Sequence, residues 1–251
     1  MQVRTIHEQR IKQLLAVVWA GRNANGLTFE FDLGLAALQY LKRIDAQDMV
    51  VETLSKVVSE PAYGYRYRAE AISMLASMKD ANAVVALLEA FQDQYLRRDA
   101  RVALAAVKHE SSVPPLVRYL QPPHDDLMRL DAAETLEGIG SPLAVEGLIV
   151  ALSDRSSYVR LAAVSALAKC GDKEAVPYLI RALEDDVAEV RVEAILWLER
   201  LDASESLVAL QKVAANDIAT VGGEDWTPIK RVSDIAQTAI IHIQQKHAQS
   251  S

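Results

Sequence analysis

Four arginines, Arg97, Arg129, Arg160 and Arg191, recur at intervals of 32, 31 and 31 residues. Guanidinium groups repeated at a fixed spacing could grip phosphate, since their planar donor forks match its oxygens. The same forks could instead pair with the acidic residues Asp125, Asp126, Asp154, Asp185 and Asp186 that follow or precede them, forming an internal ladder; this is the reading adopted. Cys170, the single cysteine, rules out an intrachain disulfide and a four-cysteine zinc site. It falls in the same periodic apolar slot as Ile139 and Leu201, which favours burial over nucleophilic work. Five histidines without a repeated spacing make a poor metal set. No Ser-His-Asp arrangement, phosphate-binding glycine loop or dinucleotide fingerprint occurs, so no catalytic, cofactor or metal residues are assigned.

The bulk composition sets the wider bounds. The chain has 251 residues, 51% apolar, 24% charged and 6% aromatic, enough to bury a sizeable core. Lys and Arg number 27 against 34 Asp and Glu, a formal charge of −7, which argues against a nucleic-acid grip built on counterion release. The opening MQVRTIHEQR is polar, and the run Leu14 to Val18 is too short to span a bilayer and lacks a cleavage-site pattern. A soluble, cytoplasmic protein is expected. Ala, Leu and Val are abundant, with only ten Gly and eight Pro, as suits helix-on-helix packing.

The elements that carry these side chains follow from self-similarity. Counting from Arg160, apolar residues stand at offsets three, six, seven and ten (Ala163, Ala166, Leu167, Cys170), and again from fifteen onward (Ala175, Val176, Leu179). The first set traces one face of a helix and the second set another, so each copy is an antiparallel helix pair. The pattern returns at Arg68, Arg97, Arg129 and Arg191, and in worn form at Gly34 and Ser233. Acidic residues in the connecting loops can favour the helix start that follows, and Gly140 and Gly171 stand where a left-handed helix stop is expected. A pair with one apolar stripe per helix cannot bury both stripes alone, so neighbours must stack. The expected architecture is one all-α domain over 1–251: an N-terminal cap over 1–32, about six repeats over 33–215, an insertion over 216–231, and a capping helix and tail over 232–251.

Read from Asp154 to Leu183, the run Asp-x-x-x-x-Val-Arg-x-x-Ala-Ala-x-Ala-Leu-x-x-x-Gly-Asp-x-x-Ala-Val-Pro-x-Leu-Ile-x-Ala-Leu resembles the HEAT repeat in its bacterial, phycobilisome-lyase-like form. The resemblance implies a right-handed, armadillo-like α-solenoid whose Val-Arg helices line the concave face. It is compatible with several activities, because fold does not fix function. A metal-dependent hydroxylase of this family would need repeated His-Glu pairs after the anchor arginine. Here those positions read Val192-Glu193, Leu161-Ala162, Leu130-Asp131 and Arg98-Asp99; His7-Glu8 and His109-Glu110 lie elsewhere.

Offsets one, five and eight point away from the core stripe, into the expected groove. They hold Arg98, Val102 and Ala105; Leu130, Glu134 and Glu137; Leu161, Ser165 and Ala168; and Val192, Leu196 and Glu199. The expected partner-binding face has an apolar floor of Val102, Leu130, Leu161, Val192 and Leu196, with Ser165 among them, edged by Glu134, Glu137 and Glu199. Such a groove suits a basic amphipathic helix or extended segment of another protein. The competing reading is that neighbouring helices crowd over these side chains and bury them. Tyr63, Tyr65 and Tyr67 form a second candidate contact loop, or else cover the worn N-terminal units; Gly222 to Trp226 in the insertion is a contact loop or a cap connection. The function expected is a non-enzymatic protein-binding scaffold, with a bilin lyase-type subunit or chaperone of phycobiliproteins and a toxin-immunity protein as alternatives. No membrane or nucleic-acid partner is expected.

Overall fold

The computed structural model describes residues 47–222 and 230–250, together with helical residues 5–6, 9–14, 16–17, 36–37 and 39–40. Leu15, Val18, Trp19, Gly34, Leu41, Ile44 and the Gly223–Ile229 stretch, with its Trp226, lie outside them. The described chain is all-α apart from one small hairpin, and it divides into two compact units, Met1–Pro115 and Leu116–Ser251.

In the first unit, α1 (Gln47–Ser59) packs on α2 (Tyr65–Met78) and α3 (Ala83–Gln92), and α4 (Arg97–Val107) lies against both α2 and α3. A helix, α5 (Val113–Tyr119), spans the boundary between the units. In the second unit the pairs are α6 (Asp126–Ile139) with α7 (Val145–Ala151), α8 (Ser157–Gly171) with α9 (Val176–Ala182), and α10 (Ala188–Arg200) with α11 (Leu207–Asn216). A long helix, α12 (Val232–Ser250), closes the unit. The first helices α6, α8, α10 and α12 lie side by side, and α7, α9 and α11 each pack on the first helix that follows.

The offsets read from sequence account for the core. Ala132, Leu136, Ala163, Ala166, Leu167, Ala194 and Leu198 are fully buried. Burial extends further round each helix than one stripe, because both flanks meet neighbours: Ala133, Val164 and Ile195, three residues outside the expected stripe, are also sealed. Short 3₁₀ turns, Pro142–Ala144, Asp172–Ala175 and Ser204–Ser206, link first helix to second in this unit. Asp125 caps α6 by accepting from the Met128 N–H at 2.7 Å. Gly140 takes the left-handed conformation at φ 71°, as expected. Gly171 does not: it ends α8 at φ −104°, and the turn falls one residue later on Asp172 at φ 45°.

The repeated arginines form the ladder. Arg129 Nε and Nη2 donate to both carboxylate oxygens of Asp154 at 2.7 and 2.8 Å, and Arg160 makes the same bidentate pair with Asp185 at the same distances. Arg191 does so with Asp217, at 2.6 and 3.0 Å. Each aspartate also accepts from a backbone N–H two residues on, at Ser156, Val187 and Ala219. The next arginine reaches back to the same loop: Arg160 Nη1 donates to the Asp154 carbonyl and Arg191 Nη1 to the Asp185 carbonyl. In the first unit Arg68 pairs with Asp93 at 2.9 Å, and Arg97 donates to the Phe91 carbonyl at 3.1 Å.

Burial alone would raise Asp154, Asp185 and Asp217, but the guanidinium hydrogen bonds and backbone N–H groups outweigh it and hold all three below the ordinary aspartate value. These carboxylates therefore ionise more readily folded than unfolded. Their contribution is complete above the unfolded value, about pH 4, and is lost as pH falls from there through the lowered folded values. Urea midpoints measured from pH 6 down to pH 2 should fall through this window, and Asp154→Asn should flatten the fall. The Arg129 side chain is only 2% exposed and faces two carboxylates, Asp154 and Asp126, and the His124 carbonyl. Arg129→Ala strands the buried Asp154 charge and should cost about 3–5 kcal/mol in urea unfolding; Arg129→Met with Asp154→Leu should recover much of that loss.

Candidate partner-binding face

The first helices of the second unit lie side by side and carry most of the residues expected to line the groove. Leu130, Leu161 and Val192 are half-buried and Leu196 is 36% exposed, on α6, α8 and α10. Ala168 is buried. Val102 is 62% exposed, but it belongs to the first unit and is not part of this set.

The polar members are tied across neighbouring helices. Lys169 Nζ on α8 pairs with Glu137 on α6 at 2.5 Å. Ser165 Oγ donates to the Glu193 carboxylate on α10, which also accepts from Trp197 Nε1 at 2.8 Å. His242 Nδ1 on α12 lies 2.6 Å from Glu199 Oε1 on α10. Glu137 and Glu199, expected at the rim, are thus also tied to neighbouring helices.

Trp197 stands at offset six from Arg191, a core position of the repeat; the structure places it half-buried at the edge of the face. Its ring lies 4.9 Å from Arg200 Cζ and 5.9 Å from Lys169 Nζ, within the range of cation–π attraction. Two further side chains were missed: Leu127 and Tyr158, 67% and 72% exposed, each two residues before the anchor arginine in the first turn of α6 and α8. Their shared offset was the available signal. Together with Leu130, Leu161 and Leu196 they spread apolar surface along and across three adjacent helices.

The tyrosine loop divides between its two readings. Tyr63 and Tyr67 are buried, at 7% and 2% exposure, so they fill the first unit's core. Tyr65 alone projects outward, its hydroxyl donating to Asp99 at 3.0 Å. In the insertion, Asp217 is the ladder's last carboxylate, and Thr220–Val221 pairs antiparallel with Lys230–Arg231.

Among the described residues no group of His, Cys, Asp and Glu is arranged to hold a metal ion, and no helix is long and apolar enough to cross a membrane. Cys170 is buried, with Sγ 3.5 Å from the Leu136 carbonyl, and burial pushes its thiol up to about 11.

Residues 145–221, from α7 to the first strand, match the family model of HEAT repeats. No curated protein matches the chain. Among solved structures, an Escherichia coli protein, YibA, aligns with a TM-score of 0.53 at 17% identity, over 95% of this chain and 82% of its own. A designed armadillo repeat protein in complex with the peptide (KR)4 aligns at 0.50 and 18% identity, over 77% and 99%. The complex of CpcE and CpcF of phycocyanin lyase from Nostoc gives 0.44 and 19%, over 90% and 93%. The fold is that of the HEAT and armadillo solenoids.

Ellman's reagent should find Cys170 unreactive in the native protein and fully reactive in denaturant; reaction at native rates comparable to a free thiol would contradict its burial.

Proposed function

We propose that the protein is a protein-binding scaffold that engages its partner through the first-helix face of the second unit. The observation that carries this reading is the run of partly open apolar side chains, Leu127, Leu130, Tyr158, Leu161 and Leu196, on three helices whose polar neighbours are already paired. Isolated exposed aliphatics are ordinary on a protein surface, whereas an aligned set spanning successive repeats marks an interaction surface. A tryptophan flanked by arginine and lysine beside them has the composition of an interface hot spot. The designed armadillo protein holds its peptide on a related scaffold, which is in keeping with this fold serving as a platform for a polypeptide. Nothing in this surface calls for a catalytic group: binding needs a rigid array of side chains, and the ladder supplies the rigidity.

Affinity capture followed by mass spectrometry tests the reading, with the wild type beside a Leu161→Glu, Leu196→Glu double variant and a Val208→Glu control on α11. A partner held by wild type and control, and reduced at least tenfold with the double variant while circular dichroism shows it folded, is the expected result. Equal recovery by all three would overturn the assignment of this face.

A further inference from the structure

The same face has a charge and a spacing that specify its occupant. Leaving aside the ladder and its loop acids, α6, α8 and α10 carry six carboxylates, Asp131, Glu134, Glu137, Glu189, Glu193 and Glu199, against two cations, Lys169 and Arg200. The second helices α7, α9 and α11 have the opposite balance: Arg181 and Lys212 against Glu146. The acidic excess is therefore confined to the side that also bears the apolar row. Several of these carboxylates are hydrogen-bonded within the face, and the three helices still carry a net negative charge, whose field attracts positive charge.

Spacing decides between a helical and an extended occupant. Adjacent packed helices lie about 8–10 Å apart, so the apolar side chains that share one offset, Leu130, Leu161 and Val192, recur at about that interval across the stack. A partner helix laid across the stack rises about 1.5 Å per residue. Its positions i, i+7 and i+14 therefore meet successive helices about every 10 Å, with i+3 and i+4 filling the intervals. An extended segment presents same-side residues at about 6.6 and then 13 Å, out of step with the row.

We propose that the first-helix face of the second unit seats a basic amphipathic α-helix of a partner protein, its apolar stripe on Tyr158, Leu161 and Leu196 and its Lys or Arg residues against the carboxylates of α6 and α10. This rests on the reading of that face as a partner site and names the chemistry of the partner.

Fluorescence anisotropy with three labelled synthetic peptides of about 18 residues tests it on the full chain: a Leu/Lys peptide patterned at helical period, an isomer of the same composition alternating Leu and Lys, and a Leu/Glu peptide at helical period. The helical Leu/Lys peptide should bind at least tenfold more tightly than either of the others. Its affinity should fall at least tenfold between 50 and 300 mM salt, and at least fivefold with Tyr158→Ser, Leu196→Ser, two substitutions at exposed positions. Equal binding of the alternating isomer would overturn the helical occupant, and salt-insensitive binding or binding of the Leu/Glu peptide would overturn its charge. Concentration-dependent self-association abolished by the same serine variant would make the occupant a second copy and overturn the proposal. The two readings can fail separately: a captured partner that is lost with the Leu161→Glu, Leu196→Glu variant, yet binds through a segment neither basic nor helical, leaves the partner site standing and removes only this inference.

Discussion

The pairing of one arginine with one aspartate 25 or 26 residues later is the contact on which the second unit's regularity depends. Each loop aspartate is held twice: its carboxylate by the arginine of the pair just completed, and, for Asp154 and Asp185, its backbone carbonyl by the arginine of the pair about to begin. The side chain that ends one repeat is thereby fastened to the one that opens the next. A buried ion pair need not add net stability over an apolar replacement of the same shape, because both charges were desolvated to make it. What the bidentate geometry supplies is direction, since the fork accepts the carboxylate in one plane. Apolar stripes on two helices can slide by a turn and still bury area; the ladder removes that freedom.

Fixing the loops fixes the lateral offset of the first helices, and the face inherits that order. Lys169 meets Glu137 at a separation of 32 residues, Trp197 meets Ser165 at 32, and Ser165 meets Glu193 at 28. Such pairings need neighbouring helices in one register. Their consequence is that the polar groups of the face are positioned before any partner arrives. Arg200 over Trp197 is held in the same way, so little side-chain entropy remains to be lost on binding.

Sequence reading recovered the repeat, the core offsets and the arginine ladder because each depends on periodicity within the chain. Ala163, Leu167 and Cys170 fall in the core for the same reason that Ala132, Leu136 and Ile139 do. What escaped it depends on packing between helices, which has no fixed signature along the sequence. Ala133, Val164 and Ile195 are buried by flanking helices at an offset that a single helix would leave open. Trp197 occupies a core offset, yet its ring is too large for the slot that Ala166 fills one repeat earlier, so its edge and its indole N–H turn toward Glu193. Tyr63 and Tyr67 were indistinguishable by composition from Tyr65; their positions around the entry to α2 decide that two rings point inward and one outward. Gly171 does not take the left-handed stop expected of it; the chain turns at Asp172 instead.

The exposed pair Leu127 and Tyr158 marks where folding requirements stop. The ladder, the loop turns and the core are complete without them: both precede the anchor arginine by two residues, both lie in first turns whose backbone is already held, and neither is needed to seal the stripe beneath. At the same offset α10 carries Glu189, exposed and fully compatible with the fold. Since a carboxylate serves the fold there, the apolar choice at the other two positions is not dictated by stability of the unit. Exposed leucine and tyrosine side by side on successive helices carry a cost in solubility that the −7 formal charge offsets. Surface that the fold does not require, set on helices that the ladder orders and next to an acidic field, is what the proposed partner site rests on.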